Sequence, residues 1–275
     1  MIDPTKTLYY NITIQCALDG FCFVVHHQEE NKIIGIEIYQ TSETDDERVV
    51  MEALEQALDK KELLGKKFHS VRYIATDRFH TLVPHDLFKE EDCAAYLRFN
   101  HVFPQDYQLF HEPLKKLDAI NVFATSEKRL ERLKHHWPDI MVTHQHTVFL
   151  NSILREEPYE SHVNAYINVN GHNYDLAIVK ENNLILSNNF KFNTKEDFIY
   201  YLMFTLEQQQ LADQDIPVYF TGLISNHSDI IQLCERYIKR IRFLRPDGSV
   251  NVDLSQSNTP FQYYYIPYKN LSCES

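Results

Sequence analysis

A chain of 275 residues, 44% of them hydrophobic, has enough material for two lobes and a sizeable buried core. Its 27 Lys and Arg against 39 Asp and Glu leave a formal charge of −12, which disfavours nonspecific attraction to nucleic-acid phosphates or anionic lipid. No apolar stretch follows a basic start and no run approaches the roughly 20 apolar residues that span a bilayer, so a cytoplasmic protein without membrane association is expected.

The predicted elements begin with strands at residues 12–16 and 21–25, flanking a turn at Asp19-Gly20, and a third at 32–39. Ile12, Ile14 and Cys16 alternate with Thr13 and Gln15, the pattern of a half-buried antiparallel sheet. Thr44 with Glu47 reads as a capping box, and Val50, Leu54, Ala57 and Leu58 continue at helical spacing until Gly65. Gly65-Lys66-Lys67 comes after that stripe and reads as a helix end with favourable cations, not as a phosphate loop. Residues 69–76 make the next strand. An insertion around 80–124 then supplies a strand at 81–84, a helix at 90–98 and two strands at 106–111 and 118–124. A polar helix at 126–136, a strand at 139–143 and a helix near 148–154 lead to Glu156-Glu157-Pro158, a plausible boundary.

After it the pattern repeats. Strands at 165–169 and 174–179 flank Asn170-Gly171, a third runs over 184–192, and Thr194 with Asp197 opens a helix carrying Phe198, Tyr201, Leu202 and Leu206. Residues 217–221 form a strand before Gly222, 228–240 a helix and 241–244 a strand; the aromatic run at 261–267 reads as a strand packed back on a lobe. The sequence thus divides into an N-terminal lobe, 1–157, and a C-terminal lobe with its aromatic tail, 158–275. A duplication of this kind places a cleft between its copies.

Three antiparallel strands, a helix, a strand, a helix and a strand, occurring twice, resemble the lobes of the actin, sugar-kinase and heat-shock chaperone superfamily, which are ribonuclease H-like. Within it the chain is similar to an uncharacterised bacterial family described as having an actin-like ATPase fold. The residues carrying that likeness are Leu18-Asp-Gly-Phe21, Leu82-Val-Pro-His-Asp-Leu-Phe88, Asn100-His-Val-Phe103, Asn121-Val-Phe123 and Glu196-Asp-Phe-Ile-Tyr-Tyr201. The resemblance implies an α/β fold of duplicated lobes, each a mixed five-stranded sheet with helices, facing across a cleft. It also implies where ATP and magnesium would bind, because hairpin amides grip phosphates and nearby carboxylates hold the metal through its waters.

Each of those places departs from the superfamily's pattern. The first hairpin offers Asp19-Gly20-Phe21, without the spacer and with a bulky ring where backbone must approach phosphate. The second offers Asn168-Val-Asn170-Gly171, with amides for carboxylates, and the adenosine segment has one glycine, Gly222, followed by Leu223. Asp77, just after the 69–76 strand, could stand as a carboxylate at the cleft mouth, although a plain turn aspartate is the preferred reading.

Other chemistries find less support. Six glycines, at 20, 35, 65, 171, 222 and 248, cannot write a GxGxxG or GxxxxGK[ST] loop. His144-Gln-His146 has strand-face spacing for a metal and His135-His136 lies near it, but no HExxH or CxxC accompanies them, so no metal site is assigned. His26-His27 reads as a solvated strand end. Five cysteines without CxxC spacing read as reduced thiols, and Cys93 among Glu90, Glu91 and Asp92 as a packed thiol. No GxSxG elbow is present. The expected function is therefore a non-catalytic binding or scaffolding module with a protein partner and no cofactor. Any ligand would lie between Asp19-Gly20 and Asn170-Gly171 with Gly222. The alternatives are an ATP-binding protein or phosphotransferase with Asp19 near magnesium and Asp77 as base, and a small-molecule sensor using the same cleft.

Overall fold

The structure, a computed structural model, describes residues 2–17, 20–40, 46–154, 162–252 and 259–272. Asp19, Thr44, the Glu156-Glu157-Pro158 boundary and Cys273 lie outside the described residues. The chain forms two compact units: Met1–Val148 with Asp247–Asn258 and Ile266–Ser275, and Phe149–Pro246 with Thr259–Tyr265.

In the first unit, β1 (Tyr10–Ala17), β2 (Gly20–His27) and β3 (Lys32–Gln40) form an antiparallel meander, and α1 (Glu47–Asp59) leads to β4 (Ser70–Ala75), parallel to β1. The insertion comes next as β5 (His80–Pro84), α2 (Cys93–Asn100), β6 (Tyr107–Leu114) and β7 (Ala119–Ser126), whose strands make a separate antiparallel sheet in the order β5-β7-β6. Then α3 (Glu127–His136) precedes β8 (Met141–His144), parallel to β4, and α4 (Gln145–Ile153) follows, its residues from Phe149 onward counted in the second unit.

The second unit contains β9 (Val163–Asn170), β10 (Asn173–Lys180), β11 (Asn183–Lys191), α5 (Lys195–Gln208), β12 (Pro217–Gly222), α6 (Asp229–Cys234) and β13 (Arg240–Phe243). Its sheet order, β11-β10-β9-β12-β13, reproduces β3-β2-β1-β4-β8 strand for strand, with the same parallel and antiparallel pairings. Even an irregularity is duplicated. A register shift opposite β2 leaves Ile34 as an extra residue in β3, and one opposite β10 leaves Ile185 extra in β11, each the third residue of its strand. A two-residue strand, β14 (Asn251–Val252), adds to β3 and makes the first sheet six-stranded; α7 (Tyr265–Ser272) closes the described chain.

The expected helical stripes supply the cores. Val50, Leu54, Leu58, Leu130 and Leu133 cover Ile12, Ile14 and Phe23, while Phe198, Leu202 and Leu206 cover Ile167, Leu176 and Ile178. In the insertion, Leu97 packs with Val83, Ile120 and Val122. The Thr194–Asp197 capping box forms in full, satisfying two otherwise unpaired amides of α5.

Several expectations are corrected. Asp46 caps α1, its carboxylate accepting from Arg48 N at 3.0 Å, and the helix ends at Asp59, before the turns that lead to Gly65. The surface alternation expected of β1 does not hold, because Thr13 is fully buried in a strand flanked on both sides. The helix expected to reach residue 240 stops at Cys234, where Arg236 and Tyr237 donate to carbonyls three residues back and turn the chain toward β13. The aromatic run is helical, a 3-10 turn at Phe261–Tyr264 running into α7, with Tyr264, Tyr265 and Tyr268 buried at helical spacing. Among the described residues no helix is long and apolar enough to cross a membrane.

Candidate functional site

The carboxyl ends of adjacent parallel strands are where open α/β sheets bind ligands. In the first unit, β1 and β4 end side by side at Cys16 and Ala75, with Thr76 and Asp77 next in the chain. A guanidinium lies across those ends. Arg129, in the first turn of α3, is 2% exposed, and its Nη1 donates to Cys16 O (3.3 Å), Tyr73 Oη (2.9 Å) and Asp77 Oδ2 (3.2 Å). Its Nη2 donates to Asp77 Oδ1 and Glu47 Oε2, both at 3.4 Å. Burial works against the charge, but the Tyr73 oxygen, Asp77 and Glu47 outweigh it and hold the guanidinium firmly protonated.

The partners are held as tightly. Asp77 accepts from Thr125 Oγ1 at 2.6 Å and Tyr107 Oη at 3.3 Å, and Ser126 Oγ donates to Glu47 Oε1 at 2.8 Å while capping α3. The turn-aspartate reading of Asp77 is therefore corrected: its side chain is 8% exposed and both its oxygens face Arg129. A carboxylate saturated in this way is a poor metal ligand or general base, because releasing it would leave a buried cation unpaired.

The glycines singled out by the sequence answer to sheet packing. Gly20 has φ +156°, and a Cβ there would sit 2.1 Å from Tyr39 O on the paired strand. Gly222 has φ +86°, and a Cβ would sit 2.0 Å from Val169 O. Gly171, φ +57°, turns the β9–β10 hairpin beside the buried Asn170. Phe21 is buried and stacks on Phe23 and Tyr39, with ring centroids 6.2 and 5.4 Å away. Gly20 and Asp77 belong to the first unit; Asn170, Gly171 and Gly222 belong to the second, where Gly222 pairs with Val169. The second unit does hold a carboxylate near its hairpin: Asp175, 1% exposed, accepts from Asn168 Nδ2 (3.3 Å) and Asn189 Nδ2 (2.9 Å).

A second polar group lies between the insertion and β8. Glu112 on β6 accepts from His144 N at 3.0 Å, and burial, opposed by hydrogen bonds from Thr143 and Thr147, raises its pKa. A carboxyl whose pKa is raised by folding loses stability as pH climbs above the unfolded value near 4.5, because the native state then holds more protons than the unfolded one. Glu112→Gln should therefore raise the unfolding temperature at pH 7, with the gain fading as pH falls toward 4. Calorimetry across that range checks this; an equal effect at both ends would assign the change to something other than ionisation.

Among the described residues the thiols are held toward the protonated form. Burial pushes Cys16 up to about 12, and burial with Glu90 and Asp92 raises Cys93. His26, read as solvated, is buried between Asn11 and Asn31, and that burial lowers its pKa. Sequence reasoning passed over Arg129, Glu112 and Asp175. The first had a readable signal: Arg129 shares a stripe with Leu133 and Trp137, four and eight residues on, and a charge in an apolar stripe requires buried partners.

The sequence matches, over residues 1–241, the family described as protein of unknown function (DUF3822). The chain belongs to that family. Among solved structures it is similar to a Bacteroides thetaiotaomicron protein with actin-like ATPase fold and unknown function, at 20% identity, covering 93% of this chain and 97% of that one with a TM-score of 0.76. It is also similar to a chain of the PilM–PilN type IV pilus biogenesis complex, at 11% identity, covering 96% and 97% with a TM-score of 0.64. At these identities the likeness establishes the fold: this member of the family has the α/β, actin-like ATPase architecture that its duplicated sheets display. No curated protein sequence matches the chain.

Proposed function

We propose that this protein is a non-catalytic binding module that assembles with a protein partner in the cytoplasm and uses no nucleotide cofactor. The observation that carries the reading is the pairing of Arg129 with Asp77 and Glu47 across the ends of β1 and β4. In the superfamily that the fold resembles, this is where carboxylates would hold a hydrated metal and backbone would approach phosphate. Here the carboxylates neutralise an internal cation, and Gly20 and Gly222 serve close strand contacts. The PilM–PilN complex supports the protein-partner half of the reading, as a related fold found assembled with another protein.

Thermal unfolding of the full chain in ATP and magnesium tests the proposal. A ligand at about 100 times its Kd stabilises by roughly 2.7 kcal/mol, and no shift up to millimolar nucleotide is expected. A magnesium-dependent shift would overturn the non-catalytic reading in favour of an ATP-binding protein. Co-purification with a stoichiometric protein that rebinds after separation is the positive result; a chain recovered only free would count against the partner.

A further inference from the structure

The polar group beside β8 contains more ionisable chemistry than packing requires. His80 comes from β5, His144 ends β8, and His146 stands in the first turn of α4, so His144 and His146 do not share a strand face as their spacing suggested. The fold brings all three rings together: His80 lies 4.1 Å from His146 and 4.9 Å from His144, centroid to centroid. His144 is fully buried and His146 is 1% exposed. Two apolar side chains would fill this space without the cost of desolvating imidazoles, so the choice of histidine calls for a chemical reason.

The roles of the rings differ. His144 Nδ1 accepts from the His146 backbone N–H at 3.1 Å, which leaves its Nε2 to donate to Asp77 O at 2.9 Å. Both nitrogens are thus committed, and the ring fixes the start of α4. The ligating nitrogens of His80 and His146 lie within 4.8 Å of each other, within reach of one ion bonded to each at about 2.0–2.1 Å once the rings turn toward it. His101 Nε2 holds the His80 carbonyl at 2.9 Å. On the neighbouring strand, Asn121 is fully buried; its Nδ2 donates to Thr147 Oγ1 at 2.9 Å, and its Oδ1 has no hydrogen-bond partner among the described residues. That oxygen is an acceptor of the kind a metal-bound water needs.

We propose that His80 and His146 bind a divalent transition-metal ion of the zinc class, with His144 as the residue that positions His146. Imidazole nitrogens are suited to such ions and poorly suited to magnesium or calcium, which take oxygen ligands. Neither proposed ligand belongs to the Arg129 ion pairs, although His144 bonds the Asp77 carbonyl, and the standing of the site does not depend on whether nucleotide binds.

The test is titration of EDTA-dialysed full-length protein with Co2+ as the probe. Equimolar uptake with visible d–d absorption is expected, displaced by Zn2+, together with paramagnetic broadening of the His80 and His146 ring signals in the unmodified protein. His80→Asn should abolish the absorption, whereas a double substitution of His135→Ala and His136→Ala on α3 should leave it. Absence of uptake by the unmodified protein, broadening of the α3 histidines instead, or bands that survive His80→Asn would overturn the proposal. The broadening needs no variant, so it decides the matter even if the substitution impairs folding.

Discussion

Arg129→Met should destabilise the protein by roughly 3–5 kcal/mol, the cost of leaving buried carboxylates without their cation, as measured by urea unfolding of the full chain. Asp77 dominates, because its side chain is 8% exposed whereas that of Glu47 is 25% exposed and can be partly rescued by water. A triple variant, Arg129→Met with Asp77→Asn and Glu47→Gln, should recover most of the loss, since it removes the charges along with their partner and keeps comparable volumes. A single variant as stable as the wild type would show that Arg129 is not the counterion that the geometry makes it. The two proteins also separate functional readings. If the carboxylates were freed for magnesium in some other state, Arg129→Met would gain metal-dependent nucleotide binding; under the non-catalytic proposal it gains none.

Gly222→Ala should cost the second unit at least about 2 kcal/mol, combining left-handed backbone strain of about 1–2 kcal/mol with displacement of a paired strand. At φ +86° the added methyl would meet backbone on the next strand, the Val169 oxygen at 2.0 Å and nitrogen at 2.8 Å, and neither can rotate away. Gly65→Ala is the control. Its φ of +67° imposes similar strain but nothing lies within 4 Å of the new carbon, so only about 1 kcal/mol should be lost. Equal losses in urea unfolding would mean that the β9–β12 approach is not the reason for glycine at 222.

The fold was legible because its signals are local and repeated. Short apolar segments at 165–169 and 174–179 around Asn170-Gly171, then the Thr194–Asp197 box and its stripe, specify strand, turn, strand and helix without distant contacts, and the same order at 12–58 repeats the unit. The failures are also local in origin. The run at 261–267 carries bulky aromatics suited to a strand, but Tyr264, Tyr265 and Tyr268 recur at helical spacing, and that periodicity won over strand propensity. At the candidate site, Asp77 looked like a turn residue because its neighbours in the chain are visible in a sequence and the side chains packed against it are not. Its partners Tyr107, Thr125 and Arg129 lie 30, 48 and 52 positions away.

By itself the sequence determined the duplicated strand and helix order, the inserted layer with its own helix, the departure of its hairpins from the superfamily's glycine and carboxylate patterns, and the lack of any GxGxxG or GxxxxGK[ST] spacing. All of these come from spacing along the chain, which periodicity and turn chemistry encode directly. Only the tertiary structure decided that Arg129 neutralises Asp77 and Glu47, that β14 joins the first sheet from residue 251, and that His80 meets His146. Those are encounters between residues far apart in sequence, fixed by strand pairing and by the requirement that every buried charge find its counterpart.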